Sequence, residues 1–194
     1  MPDNKKMVEI RHFKMSFGDK TVIKDLSFDV FRGEVFGFLG SNGSGKTTTL
    51  RALLGLYQPT AGDLLINGKP YSVESQIRLG YLPEERGLYK KEKVLDVMLY
   101  FGQLKGLSRK EAKDFSLKFL ERVNLSDKAN TQLDKLSGGQ QQKIQLGVTI
   151  MGDPELLIMD EPAKGFDPVN RRLLMNIIEE QRKAGATIIY VTHQ

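Results

Sequence analysis

The sequence contains no cysteine, which excludes a disulfide framework and a thiolate metal site and fits a reducing cytoplasm. It has no run of about eighteen apolar residues, so no segment reads as a membrane-spanning helix. The first residues, Met1-Pro2-Asp3-Asn4-Lys5-Lys6, are polar and lack the apolar core of a secretion signal. Internal repeats and low-complexity linkers are absent as well. What remains is an ordinary globular composition: 194 residues, 40% hydrophobic and 27% charged, enough for one α/β domain with a small inserted lobe.

The net charge of +5 raises the question of a polyanionic partner. The lysines and arginines are scattered, and their densest groups (Lys5-Lys6, Lys90-Lys91-Lys93 and the stretch 105–113) are interleaved with acids. That distribution reads as a solvated face, with no nucleic acid expected. A face toward anionic lipid headgroups is the functional alternative.

Residues 7–17 and 21–31 read as two strands around Gly18-Asp19, and residues 62–71 as a strand pair around Asn67-Gly68. Val35-Phe36-Gly37-Phe38-Leu39 is wholly apolar, as a buried parallel strand requires, and residues 47–56 after it look helical. Residues 94–105 and 108–124 are helical patterns. The second opens on the capping box Ser108-Arg109-Lys110-Glu111 and carries Ala112, Phe115, Phe119, Leu120 and Val123 at core-facing spacing. A helix from about Gly139, a strand over 156–159, a helix over 169–184 started by Asp167-Pro168 and stopped by Gly185, and a strand over 187–191 complete the pattern.

The turn after the first apolar strand reads Gly40-Ser41-Asn42-Gly43-Ser44-Gly45-Lys46-Thr47, a full G-x-x-x-x-G-K-[ST] loop between strand and helix. Its glycines let successive N–H groups converge on the phosphates of a nucleotide, aided by the positive end of the following helix. Lys46 then bridges the β- and γ-phosphates, Thr47 offers a hydroxyl to Mg²⁺, and Thr48 adds one near the α-phosphate. Leu156-Leu157-Ile158-Met159 runs into Asp160-Glu161, at the strand end where α/β sheets place ligands. Asp160 suits the Mg²⁺ shell, and Glu161 suits orientation or deprotonation of an attacking water.

Leu136-Ser137-Gly138-Gly139-Gln140-Gln141-Gln142-Lys143 puts a serine and two glycines at another helix start, a second phosphate-binding end. One nucleotide does not need two such ends from one subunit, so this end makes sense against a nucleotide held by another subunit. With this segment the whole chain resembles the nucleotide-binding domain of the ABC ATPase superfamily, whose signature is LSGGQ. The resemblance implies an α/β fold of the P-loop NTPase class: a RecA-like parallel-sheet core with an N-terminal antiparallel β subdomain and an inserted helical subdomain. Residues 1–194 would form one ABC ATPase domain, with 1–87 and 141–194 as the core and 88–140 as the helical signature subdomain. Members of the family continue beyond the point matching Gln194, so further strands and helices are expected after it.

The resemblance also implies site residues. Phe17 stands where the family stacks an aromatic on adenine. Ser137, Gly138, Gly139 and Gln140 would contact nucleotide held by the opposing subunit. Gly165-Phe166-Asp167 would cross the dimer interface, and His193 would contact the γ-phosphate; His12 has no such role. The family's glutamine after the strand ending Tyr81-Leu82-Pro83 is replaced by Glu84, which keeps an oxygen for Mg²⁺ or water but adds a charge. Lys164 stands where a serine is common. The stretch Tyr81-Leu82-Pro83-Glu84-Glu85-Arg86-Gly87-Leu88-Tyr89 and Asp167-Pro168-Val169-Asn170 resemble the bacterial sodium-efflux and multidrug exporter type.

The function implied is an ATP-hydrolysing transporter subunit, bound peripherally at the cytoplasmic face of the membrane. It would close head to tail on two MgATP, as a homodimer or a heterodimer with a homologous ATPase, and drive an integral membrane permease. A soluble ABC ATPase acting on DNA or ribosomes is the alternative, weakened by the lack of a long coiled-coil insertion or a second such domain. A poorly hydrolysing regulatory form is opposed by the intact Glu161 and His193.

Overall fold

A computed structural model describes residues 5–72, 75–85 and 87–193; residues 1–4, Arg86 and Gln194, which enter the reading above, lie outside the described residues. Among the described residues, seven strands form two sheets. Strands β1 (Lys6–Phe17) and β2 (Lys20–Phe31) make an antiparallel hairpin, and β4 (Ala61–Ile66) pairs with the other edge of β1. Strands β3 (Val35–Leu39), β5 (Leu79–Leu82), β6 (Leu156–Asp160) and β7 (Thr187–Thr192) form a parallel sheet in the order β3-β7-β6-β5. Helices α1 (Lys46–Leu53), α2 (Val94–Leu104), α3 (Arg109–Arg122), α4 (Gly138–Ile150) and α5 (Pro168–Lys183) complete the α/β fold.

The central strand β6 is buried on both faces, which is why it reads as a continuous apolar run, whereas β3, expected to be a buried strand, lies at the sheet edge with Val35 and Leu39 exposed. Leu156 and Ile158 point into one core with β1, β2, β4 and α1, whereas Leu157 and Met159 point into another with α2, α3, α4 and α5. Phe28 of the hairpin stacks on Phe36 of β3, with ring centroids 4.9 Å apart, and so joins the two sheets.

Strict alternation fails at His12 in β1, and the reason is local. His12 takes a left-handed φ of 46°, the register to β2 slips between Ile10 and Phe13, and both of those side chains stay buried. This is a β-bulge: one extra residue shifts the side-chain phase and leaves the exposed His12 at the kink. Gly62 of β4 fits against it, because a Cβ there would lie 2.3 Å from the His12 carbonyl oxygen.

The expected strand pair over 62–71 forms only in its first half. Asn67 and Gly68 turn with positive φ, but the return arm makes a single bridge, Ile66 to Lys69. Pro70 has no N–H to extend a ladder, and β4 finds its partner in β1.

Helices α3 and α5 start where their side-chain caps dictate. Ser108 and Glu111 form the expected reciprocal cap on α3, and Asp167 caps α5 ahead of Pro168. Close approach among the helices uses glycine: a Cβ on Gly102 of α2 would meet Ala112 of α3 at 2.6 Å, and one on Gly147 of α4 would meet the Phe119 ring at 2.5 Å. At the far end of α4, the ammonium of Lys105 donates to the carbonyls of Val148, Thr149 and Met151, satisfying the acceptors of the helix C-terminus.

Candidate active site

The sheet order decides where the chemistry meets. β7 lies between β3 and β6 with Leu39 opposite Thr192 and Asp160 opposite Val191, so three strand ends deliver residues 40, 161 and 193 to one edge. A cleft of about 500 Å³ opens there, lined among others by Asn42, Gly43, Gly45, Lys46, Thr47, Thr48, Glu84, Asp160, Glu161 and His193.

The loop after β3 curls through left-handed glycines, Gly43 at φ 78° and Gly45 at φ 94°, the second at the N-cap of α1. The turn is tight: a Cβ on Gly40 would sit 2.8 Å from Ser44 Oγ, and one on Gly45 would sit 2.9 Å from Ile23. Ser44 N–H donates to the Ser41 carbonyl at 3.2 Å, closing the loop on itself. The Lys46 side chain is buried, and its ammonium donates to the carbonyls of Gly40 and Ser41, 2.9 Å from the latter.

Thr47 Oγ1 donates to Asp160 Oδ2 at 2.8 Å, joining the start of α1 to the end of β6. Burial holds the Asp160 pKa above the ordinary carboxylate value, opposed by the Thr47 hydrogen bond, with the Glu84 and Glu161 charges raising it further and Lys46 lowering it. Among the described residues, no three acidic or histidine side chains converge as a preformed metal cage.

Glu161 occupies a left-handed φ of 50°, unusual for a residue with a side chain, and its N–H is fixed to the Val191 carbonyl at 2.9 Å. The bend turns its buried carboxylate to two partners: His193 Nδ1 at 2.6 Å and the Thr192 hydroxyl at 3.2 Å.

Not every expected residue enters the cleft. Phe17 lies half-exposed with its ring edge-on to Tyr57, centroids 5.4 Å apart, and does not line it. Ser137 to Gln140 lie outside it too. Ser137 Oγ accepts from Gln140 N–H and Gln140 Oε1 accepts from Ser137 N–H, a capping box at the start of α4 that faces the Gly165 loop. Glu84, expected at the metal, is held by Lys164, whose Nζ lies 2.7 Å from its Oε1. The two residues expected to depart from the resembled pattern are thus in contact.

Sequence reasoning missed Gln145. It is buried in α4, and its amide donates to the carbonyls of Pro83 and Glu85 at 3.3 and 3.2 Å, pinning the backbone on both sides of Glu84. A polar residue on the core face of a helix was the available signal.

Comparison with known proteins gives a consistent picture. The family model described as ABC transporter matches residues 23–164. An ABC transporter ATP-binding protein of Methanocaldococcus jannaschii is 43% identical over 98% of this chain and 69% of its own length. A Nod factor export ATP-binding protein of Cupriavidus pinatubonensis is 37% identical over 96% of the chain and 58% of its own length. The chain therefore spans between 58% and 69% of the lengths of these two relatives. A solved structure of an ATP-binding subunit of an ABC transporter superposes with a TM-score of 0.85 at 29% identity, covering 96% of this chain and 79% of that one. With a tight glycine-rich loop at the end of β3, a parallel sheet that brings Asp160, Glu161 and His193 to it, and a family match across most of its length, the chain belongs to the ABC transporter ATP-binding family.

Proposed function

We propose that this chain binds and hydrolyses ATP as one half of a two-subunit clamp that drives a membrane permease. One observation carries the reading: the Lys46 ammonium, the Thr47–Asp160 pair and the Glu161–His193 pair share a single cleft. The loop N–H groups and the N-terminus of α1 hold the β- and γ-phosphates, and Lys46 trades its carbonyl partners for phosphate oxygens. Phe17 offers an exposed ring for the adenine to stack on.

Thr47 and Asp160 supply hard oxygen donors, which fit Mg²⁺, whereas the Glu84 carboxylate is taken by Lys164. With no three-residue cage among the described residues, phosphate and water oxygens would complete the ion's shell, as is usual for that ion. When bound, Mg²⁺ neutralises charge on the β- and γ-phosphates. Glu161 accepts a proton from a water as the water oxygen bonds to the γ-phosphorus. The bond from that phosphorus to the β,γ-bridging oxygen breaks, leaving ADP and phosphate. His193 and Thr192 keep the Glu161 carboxylate aimed.

Ser137 to Gln140 stand apart from the cleft of their own chain, which supports their acting on nucleotide held by a second ATPase subunit, arranged head to tail. For the permease, the groove lined by Tyr89, Glu92, Asp96, Val97 and Tyr100 is the favoured seat. Its exposed tyrosines pack edge to face on the helical side of the molecule, just after the Glu84 loop. No described helix is long and apolar enough to cross a membrane, so on this reading the chain attaches to the membrane's cytoplasmic face through that partner. A relative named for Nod factor export supports export as the direction.

The test is phosphate release with ATP and Mg²⁺. Release should be saturable and fall to background when EDTA removes the metal. Release that persists in EDTA would contradict the site as described.

A further inference from the structure

Lys164 carries a cation into the cleft that neither the phosphate loop nor the acidic strand end accounts for. It lies in the turn after β6, where its N–H donates to the Glu161 carbonyl at 3.0 Å, so its backbone is anchored to the residue proposed as the base. Its ammonium reaches across to Glu84 at 2.7 Å, and both side chains line the wall shared with Lys46, Thr47 and Asp160. Gln145 pins the backbone on either side of Glu84, so the chain that carries that carboxylate is held at the cleft wall.

As a structural staple the pair would achieve little. The side chains are 61% and 39% exposed, and ion pairs of that kind contribute about 0–1 kcal/mol. Its place in the cleft gives it more consequence. Glu84, Asp160 and Glu161 put three carboxylates around a cavity that must admit a polyphosphate. Like charge disfavours that entry in proportion to how little it is compensated.

We propose that Lys164 is a positioning residue of the nucleotide site: it neutralises Glu84 and holds that carboxylate across the cleft, so that Glu84 and Lys164 set MgATP affinity as one unit. This rests on the ATP-binding reading above.

Equilibrium binding of a fluorescent ATP analogue with Mg²⁺ tests it, on the wild type and on Lys164→Ala, Lys164→Arg, Glu84→Gln and the double variant Glu84→Gln with Lys164→Ala. Lys164→Ala should weaken binding about tenfold, the effect of one uncompensated charge at a partly exposed site. That loss should shrink in about 0.5 M salt, where screening acts within a few ångströms. Lys164→Arg, which keeps the charge, and the double variant, which removes both charges, should stay within about threefold of the wild type. A Lys164→Ala protein that binds like the wild type would overturn the proposal, and so would a double variant as weak as Lys164→Ala. Lys46→Ala in the same assay separates the two readings. If it binds like the wild type, the ATP site is misassigned and both fall; if it fails to bind while Lys164→Ala is unaffected, only the role of Lys164 falls.

Discussion

Replacing Glu161 with glutamine should leave ATP binding intact while slowing hydrolysis by about three orders of magnitude, the usual weight of a positioned general base. The substitution is close to isosteric. The amide oxygen can still accept from Thr192 and His193, and the left-handed backbone at 161 is no harder for glutamine than for glutamate. What disappears is the capacity to take a proton from water. Stopped-flow or steady-state phosphate release measures the rate, and fluorescent ATP binding shows that the site is still formed. A variant that turns over within a few-fold of the wild type would remove Glu161 from the chemistry. Because bound ATP then persists, the same variant should elute as a dimer with ATP and as a monomer without it, since a ligand shifts an equilibrium only toward the state it contacts better.

Replacing Lys46 with alanine acts one step earlier, on binding itself. The ammonium is buried beside the loop, and its hydrogen bonds to Gly40 and Ser41 show that it sits over the space the loop encloses. Without it, two phosphate groups lose their main side-chain cation. ATP affinity should fall at least about 100-fold, equivalent to about 3 kcal/mol. The fold should survive, because the Thr47–Asp160 bond and the sheet do not depend on the lysine and only its two hydrogen bonds to the loop are lost. Isothermal titration with MgATP gives the affinity, and circular dichroism confirms the fold. Binding unchanged from the wild type would refute the phosphate-cradle assignment.

The parts of the site legible in the sequence are those whose chemistry is local along the chain. Gly40 to Thr47 must be contiguous because one tight turn supplies all the donors, and Asp160-Glu161 must follow an apolar strand because the strand end is what aims them. Helix starts at Ser108 and Asp167 were readable for the same reason, since a cap acts over three residues. Contacts made by the fold were not readable. Glu84 and Lys164 were each noticed as departures from a pattern, yet nothing in the sequence places residues 80 apart in one ion pair. The insertion of β7 between β3 and β6, which brings Thr192 and His193 to Glu161, is a property of sheet order. The bulge at His12 and the loss of the second arm beyond Asn67-Gly68 were hidden because register and edge pairing depend on which strand arrives alongside. Gln145 was passed over because its carbonyl partners lie in a loop that local periodicity cannot place.

The central claim is that each cleft is half a site, completed by Ser137 to Gln140 of another subunit, and a mixing experiment tests it most directly. Lys46→Ala leaves the signature end intact but no working cradle; Ser137→Arg leaves the cradle but blocks the signature end. Each protein alone should release almost no phosphate. Mixed in equal amounts, they should form dimers in which the intact cradle of one faces the intact signature end of the other. Up to about a quarter of wild-type activity should then return, since half of a random mixture pairs unlike chains and each such pair has one complete site. If the mixture shows no more activity than the sum of the two proteins alone, the signature end does not act across subunits and the account is wrong.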